Sequence, residues 1–394
     1  MRYAIAIVLL SFCIPLSAQT LRDAVEQAWQ RQPAAQAREA RAAEVAEKRA
    51  AASALVPEPP ALSIGHRSDR FNRNLGRREW EAELDIPLWL PGESSRQLGV
   101  VEAEQAALEA RLAAAKWKLA GEVRDAYWDA RVAALELALA RRKVEEASLL
   151  AGDVERRVKA GELARVDLNQ ARAAEQAARA SLAEAEARAF RAQQALTVLT
   201  GLGQIAQTAE SEAQAPALDA HPQIAGLQRS VALAQAKLIQ ATQNRRDAPE
   251  LTLGVTREHG EFSEAFSTTL NMRIRIPFAT ESRNRPRIAS ANLELVEVQA
   301  EYGFERRRLE AEIERARREL EQARSVERFG ETRFRLAEDT QRLYAKAFAL
   351  GELDFPARLR SENERFEAEL AHARARLEAS RAVSRLNQAQ GTLP

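Results

Sequence analysis

Between residues 93 and 160 the chain runs for 68 residues without a proline. Apolar side chains recur through this run at spacings of three, four or seven: Leu108, Leu112, Leu119, Val123 and Tyr127. That is the period of an amphipathic helix. A helix of this length extends roughly 100 Å, at about 1.5 Å per residue. No compact globule has room for it, so the chain must build something elongated. Composition agrees: 46% of the 394 residues are hydrophobic and 29% charged, but only 5% are aromatic. Ala, Glu, Arg and Leu dominate, as in long helices and coiled coils.

Other classes fall away. The 58 basic and 57 acidic residues leave a formal charge of +1. That is neither a basic tail for nucleic acid nor an acidic disordered chain. One Cys excludes a disulfide scaffold, and four scattered His argue against a Cys/His metal cluster. No H-E-x-x-H, G-x-S-x-G, Walker or dinucleotide glycine pattern occurs. No enzyme activity, cofactor or nucleic-acid partner is expected. His221 precedes Pro222 at a helix start and reads as structural; His259 reads as a solvated turn residue.

Residues 1–18 read as a leader rather than as part of the fold. Arg2 precedes an apolar run from Tyr3 to Ile14, followed by Pro15-Leu16-Ser17-Ala18. A positive start, a short apolar core and a small residue at the cut describe a secretory signal, with cleavage after Ala18. The run is short for a spanning helix. Phe12 stands where a lipidated Cys13 would want a small residue. Cleavage removes Cys13 and Arg2, so 58 basic residues fall to 57 and equal the 57 acidic ones.

The remainder is one unit written twice. Pro33, Pro60, Leu62 and Gly65 match Pro222, Pro249, Leu251 and Gly254 at an offset of 189. Ile86-Pro87, Leu119, Glu122, Gly161-Glu162-Leu163 and Gly201 match Ile276-Pro277, Leu309, Glu312, Gly351-Glu352-Leu353 and Gly391 at an offset of 190. One inserted residue in one loop explains the change. Repeat 1 spans 19–204: a helix over 20–56, a β-hairpin over 61–88, a long helix over 93–160 and a helix over 163–200. Repeat 2 spans 205–394: a helix over 221–247, a hairpin over 250–278, a long helix over 283–350 and a helix over 353–390. Prolines 57, 59 and 60 end the first helix, since Pro cannot continue one. Helices 163–200 and 221–247, placed end to end, match one long helix in length. The expectation is an assembly of antiparallel helices, some split midway.

The hairpins alternate with period two. Glu79, Glu81, Glu83 and Asp85 form one face of a strand; Trp80, Ala82, Leu84 and Ile86 form the other. In repeat 2, Leu270, Met272 and Ile274 oppose Asn271, Arg273 and Arg275. Each is a strand with one apolar and one wet face. Without an apolar helix of spanning length, an exported chain crosses a bilayer only as a closed barrel. Four strands cannot close one. Two copies would give eight strands and an interior filled by side chains; three give twelve and a conduit.

This pattern resembles the TolC family of outer membrane efflux proteins. The carriers are the duplicated helix-hairpin-helix layout, Ile86-Pro87-Leu88 and Ile276-Pro277-Phe278 at the strand ends, and the turn Arg157-Val158-Lys159-Ala160-Gly161-Glu162-Leu163-Ala164-Arg165-Val166-Asp167-Leu168. The second turn keeps Gly351 but has Ala357 where the first has Asp167. The resemblance implies a mainly α protein with a small β part. A long antiparallel α-helical barrel would join a transmembrane β-barrel, with four strands per protomer and twelve in a homotrimer. It implies a passive exit duct in the outer membrane of a Gram-negative bacterium, reaching into the periplasm. The partners implied are a periplasmic adaptor (membrane fusion) protein, an inner-membrane pump of the resistance-nodulation-division type, and outer membrane lipid. Short length and lean loops look most like the branch serving heavy-metal efflux of the cobalt-zinc-cadmium type.

Three groups of site residues follow. Arg157, Lys159, Gly161, Glu162, Asp167, Gly351, Glu352 and Asp354 lie at the helix turns, as a periplasmic gate and adaptor dock or as helix caps and dipole partners. Glu79, Glu81, Glu83, Asp85, Arg273 and Arg275 face a lumen, either selecting cations or cancelling charge across strands. Trp80, Leu84, Ile86, Leu270, Met272 and Ile274 face lipid. Trp80, Trp89, Phe266 and Phe278 read as headgroup anchors or as joint residues, the joint being preferred for Trp89 and Phe278. The competing architecture is a soluble periplasmic coiled-coil scaffold or adaptor.

Overall fold

The computed structural model describes residues 20–203, 205, 209–278 and 281–394. The leader and Cys13 lie outside the described residues. The order is α1 (Leu21–Arg31), α2 (Pro33–Gln36), α3 (Arg38–Ala52), β1 (Ala61–Ser68), β2 (Arg78–Pro87), α4 (Glu93–Lys159), α5 (Arg165–Thr200), α6 (Pro222–Gln243), β3 (Glu250–His259), β4 (Ser267–Arg275), α7 (Glu281–Ala349) and α8 (Phe355–Ala389). The long helices α4 and α7 have 67 and 69 residues.

The expected helix over 20–56 is three helices instead. Gln32 is extended, with ψ 137, as the ring of Pro33 requires of the residue before it. Pro33 then opens α2, as its counterpart Pro222 opens α6. Helix α6 also stops four residues short of 247. Asn244 leaves the helix and turns its side chain to α4, accepting from Arg96 Nε at 2.7 Å and donating to Glu93 at 3.2 Å.

The chain forms two compact units, and neither coincides with a repeat. One takes in residues up to Gln32, Trp117–Ala215 and Ile313–Pro394; the other takes in Pro33–Lys116 and Pro216–Glu312. The unit boundaries fall inside α4 and α7, because each long helix serves both units.

In the first unit, Ala24, Val25 and Ala28 of α1 pack on Leu119, Val123 and Tyr127 of α4 and Leu196 of α5. Small residues recur every seven positions on buried seams. Ala171, Ala178 and Ala185 do so in α5; Ser361, Ala368, Ala375, Ala382 and Ala389 do so in α8. A strict seven-residue repeat is the period of a left-handed supercoil, and small side chains let the helices approach closely.

This unit also buries a charge. Arg124 of α4 is 2% exposed. Its guanidinium reaches Glu210 at 2.7 and 3.1 Å, and donates to the Thr392 carbonyl at 3.0 Å. Glu210 also accepts from Ser384, which accepts from Trp128 Nε1 at 2.9 Å. Asn387 holds the Ala213 amide and the Ser211 carbonyl, each at 2.9 Å. Residues 210–213 are thereby fixed to the end of α8. Removing one partner of a buried pair leaves the other charged and alone. Arg124→Leu should cost about 3–5 kcal/mol of stability. Arg124→Leu/Glu210→Leu should cost less. Thermal melting of the purified protein reads both, and a double variant no better than the single would discount the ion pair.

The second unit holds the sheet, in the order β1-β2-β3-β4, antiparallel throughout. At the start of α6, the buried His221 accepts the Gln223 amide at 3.2 Å through Nδ1. Burial pushes this imidazole down to about 4. Between pH 6.5 and about 4 the unfolded chain binds a proton that the folded chain refuses, so stability falls as pH drops through that window. From pH 7 to pH 5 this group should cost about 2 kcal/mol. His221→Asn keeps a cap acceptor and does not titrate. Melting at the two pH values should show a smaller drop for the variant; equal drops would clear His221.

Candidate functional sites

The sheet is turned inside out relative to a soluble one. Leu62 and Ile64 of β1, Trp80 and Leu84 of β2, Leu253 and Val255 of β3, and Leu270, Met272 and Ile274 of β4 are all exposed. Leu270 is 81% exposed and Met272 70%. On β3 the opposite positions, Thr252, Gly254 and Thr256, are buried. Ile86 lies at the helix end of the apolar face and is half-buried. Trp80 stacks on His66 of β1 with ring centroids 4.1 Å apart. Trp89 sits at the helix-strand joint, donating to the Ala54 carbonyl at 2.9 Å. Phe278, assigned to the joint, is instead 90% exposed, because it follows β4 on its bare side.

The polar face carries a charge ladder. Arg67 pairs with Glu79 at 2.8 Å and Arg275 with Glu250 at 3.7 Å, each directly across a ladder. Asp85 accepts from Thr252 Oγ1 at 2.6 Å. Strand β3 separates the acidic row from Arg273 and Arg275, so β2 and β4 are not neighbours. Arg273 nevertheless meets Glu83 at 3.5 Å. It does so across Gly254, which lies opposite both Glu83 and Asn271 and has no side chain to fill the gap. A Cβ there would approach Glu83 Cγ to 3.3 Å. Arg275 does not reach the acidic row; Glu250 takes it. Among the described residues, Glu81, Asp85 and Glu258 of this face have no basic partner.

Both helix turns close the same way. Gly161 and Gly351 have φ of 80 and 77, the left-handed conformation that glycine adopts without cost. Glu162 N donates to the Arg157 carbonyl and Gly161 N to Val158; Glu352 N donates to Ala347 and Gly351 N to Phe348. This doubled pattern satisfies the last carbonyls of a helix. The next helix is capped from opposite ends in the two repeats. In the first, Asp167 reaches back to the Ala164 amide at 3.0 Å. In the second, Asp354 reaches forward to the Ala357 amide at 2.9 Å. Ala164 corresponds to Asp354 and Asp167 to Ala357, so the departure at Ala357 exchanges the two halves of a capping box.

The ion pairs at the first turn come from residues that sequence reasoning missed. Asp153 takes Arg156 at 3.2 Å and Arg157 at 3.3 Å. Glu155 takes Lys159 at 3.0 Å and Arg172 at 3.3 Å. These two bonds hold its carboxyl below the usual carboxylate range. The four-residue spacings to Arg157 and Lys159 were legible on a helix; Arg172 on α5 was not. Glu162 and Glu352 are exposed and outside any ion pair among the described residues. Phe348 of α7 gathers three helices. Its ring lies 6.0 Å from Phe355 of α8, and Arg157 of α4 and Arg358 of α8 each lie 5.1 Å from its centroid. Val158 stands at the matching position of repeat 1, so the duplication gave no signal. His259 is buried rather than solvated, with Nδ1 2.8 Å from the Glu261 carbonyl and its ring edge-on to Phe266.

Among the described residues, no group of three His, Cys, Asp or Glu is placed to hold a metal ion, and no helix is long and apolar enough to cross a membrane. The family model described as outer membrane efflux protein matches residues 17–202. The cobalt-zinc-cadmium resistance protein CzcC of Cupriavidus metallidurans is 26% identical over 261 residues, covering 63% of this chain and 60% of that protein. The match thus spans about three-fifths of that relative's length. The solved structure of CusC, described by its transmembrane channel formation, superposes with a TM-score of 0.76 at 18% identity, over 95% of this chain and 92% of that one. The outer membrane protein VceC of Vibrio cholerae gives 0.76 at 16% identity, over 94% and 96%. Fold and sequence agree in their likeness: residues 17–202 match the outer membrane efflux protein family, and nearly the whole chain has the fold of the solved outer membrane channels CusC and VceC.

Proposed function

We propose that this chain is the passive exit duct of a tripartite efflux system, working as a homotrimer. The observation that carries the reading is the inside-out sheet with two free edges. Strands β1 and β4 run in opposite directions. The β4 edge of one copy therefore suits the β1 edge of the next, antiparallel, and three copies give twelve strands around an open lumen. On α7, Phe329, Leu336 and Leu343 recur every seven residues and are exposed in a single chain. That is the seam a neighbouring helix would cover. The apolar row Trp80, Leu84, Ile86, Leu270, Met272 and Ile274 would face lipid. A soluble scaffold gains nothing from leaving it bare.

The chain would do no chemistry. Transport would be driven by an inner-membrane pump of the resistance-nodulation-division type through a periplasmic adaptor, docked at the turns around Gly161 and Gly351. The likeness to CzcC supports heavy-metal cations as cargo. The lumen charge supports the same sign. Six acids, Glu79, Glu81, Glu83, Asp85, Glu250 and Glu258, share the polar face with three bases, Arg67, Arg273 and Arg275. Cross-strand pairing therefore cancels only part of the row. At the turns, Asp167 and Asp354 act as caps, and the narrowing of the entrance falls to Asp153, Glu155, Glu352 and the Phe348 cluster.

Two experiments test this. Leu270→Arg, near the middle of β4, should cost about 2–4 kcal/mol on a lipid face. A heat-modifiable trimer should appear in outer-membrane fractions for the wild type and be lost for the variant. A soluble periplasmic wild-type species would overturn the proposal. In planar bilayers, Glu81→Lys/Asp85→Lys should lower the cation-to-anion permeability ratio, and Phe348→Ala should raise the resting conductance. An unchanged ratio would reject the lumen assignment, and an unchanged conductance the turn assignment.

A further inference from the structure

Most charges of this chain are matched along the helices, but one short loop breaks the habit. Residues 67–78 hold Arg67, Arg70, Arg73, Arg77 and Arg78 against a single acid, Asp69. Arg67 pairs with Glu79. The other four arginines are exposed, and among the described residues none is in an ion pair. The companion loop on the β3–β4 hairpin carries Glu261 and Glu264 and no Lys or Arg. The positive charge is therefore local to one loop.

That loop is held in shape from beneath. The Asp69 carboxylate accepts the Leu75 amide at 2.7 Å, and its carbonyl accepts the amides of Asn72 and Asn74 at 2.9 and 3.1 Å. Gly76, at φ 98, lies against Phe262 of the companion loop, where a Cβ would come within 2.7 Å of the Phe262 ring. Its acid and its glycine are used internally. What it presents outward is Arg70, Arg73, Arg77, Arg78 and Phe71, the last 99% exposed.

Its position follows from the strands, and here the argument rests on the reading of the sheet as membrane-spanning. Strands β1 and β2 join α3 and α4 at Ala61 and Pro87, so the loop lies at their opposite ends. Ten residues of β2, tilted, cover the roughly 25 Å of an apolar belt. Trp80, stacked on His66, would mark the aromatic girdle at that end. Arg78 lies two residues beyond it. The arginines then stand at headgroup level on the face away from the helices, which is the outer leaflet. That leaflet is built of a glycolipid whose sugars carry phosphates. Guanidinium groups match phosphate oxygens in bidentate pairs, and an exposed aromatic ring beside them suits the boundary between headgroup and acyl chain.

We propose that the Arg70–Arg78 loop is a binding site for the phosphorylated glycolipid of the outer leaflet. Binding of bis-phosphorylated lipid A to the purified trimer in detergent, read by native mass spectrometry, tests it. Arg70→Gln/Arg73→Gln/Arg77→Gln should bind at least about tenfold more weakly, since each basic side chain near an anionic surface contributes to affinity. Arg317→Gln/Arg333→Gln, on α7, should bind as the wild type does. Lipid A stripped of both phosphates should bind the wild type as weakly as the triple variant binds the intact lipid. That comparison needs no variant to fold. Equal binding of intact and stripped lipid overturns the proposal, as does an unaffected triple variant. Inorganic phosphate displacing the lipid at equal concentration would mark a free-phosphate site instead. A triple variant with a lower trimer melting point and unchanged lipid binding would assign the arginines to the acidic loop of a neighbouring copy. Trimer formation and conductance of the wild type are read separately; their absence would refute the membrane reading beneath, whatever the loop does.

Discussion

In hydrocarbon no water is available to a backbone amide, and each unpaired N–H or C=O costs several kcal/mol. The whole β part of this chain answers to that constraint. Strands β2 and β3 are paired on both sides, while β1 and β4 are paired on one. A single copy thus leaves two rows of backbone groups that lipid cannot accept. The apolar face asks for lipid and the free edges forbid it, unless other copies supply the missing strands. On the proposed reading, oligomerisation is a condition of the sheet's existence in lipid, and the long helices would suit the same number of copies.

The duplication makes the two halves comparable residue by residue, and the differences are informative. The capping aspartate has changed ends between the turns, from Asp167 at the third helical position to Asp354 at the cap itself. The geometry survives because either half of a capping box satisfies part of a helix N-terminus. On the strands the halves have diverged in sign. Glu83 and Arg273 occupy equivalent positions 190 residues apart and now pair with each other. Matching strand positions of the two halves are complementary, with Gly254 as the space that lets them meet.

The parts legible in the sequence were those written in local periodicity. The proline-free run of α4 and the strict alternation of β2 each contain their own pattern within a few residues. Where a proline acts on its predecessor, as Pro33 does on Gln32, the signal was present but overridden in reading by the helical composition around it. Features that depend on three elements at once were hidden. Arg124 and Glu210 are 86 residues apart, and nothing near either announces the other. The gathering of Arg157, Phe348 and Arg358 needs three helices in register. The burial of His259 depends on Phe266 folding back over a turn that reads as polar.

The cluster around Arg124 has a bearing on how the chain is made. Its carboxylate comes from Glu210, but Ser384, Gln388 and Thr392 complete it, from the end of α8 and just beyond. A chain emerging N-terminus first must release α8 before this charge can be buried with its full set of partners. Until then Arg124 is better solvated than packed, which opposes premature closure of the first unit. Helix α8 thus completes the joint: without Ser384, Gln388 and Thr392, Arg124 is an open, hydrated arginine where the folded unit carries a sealed one.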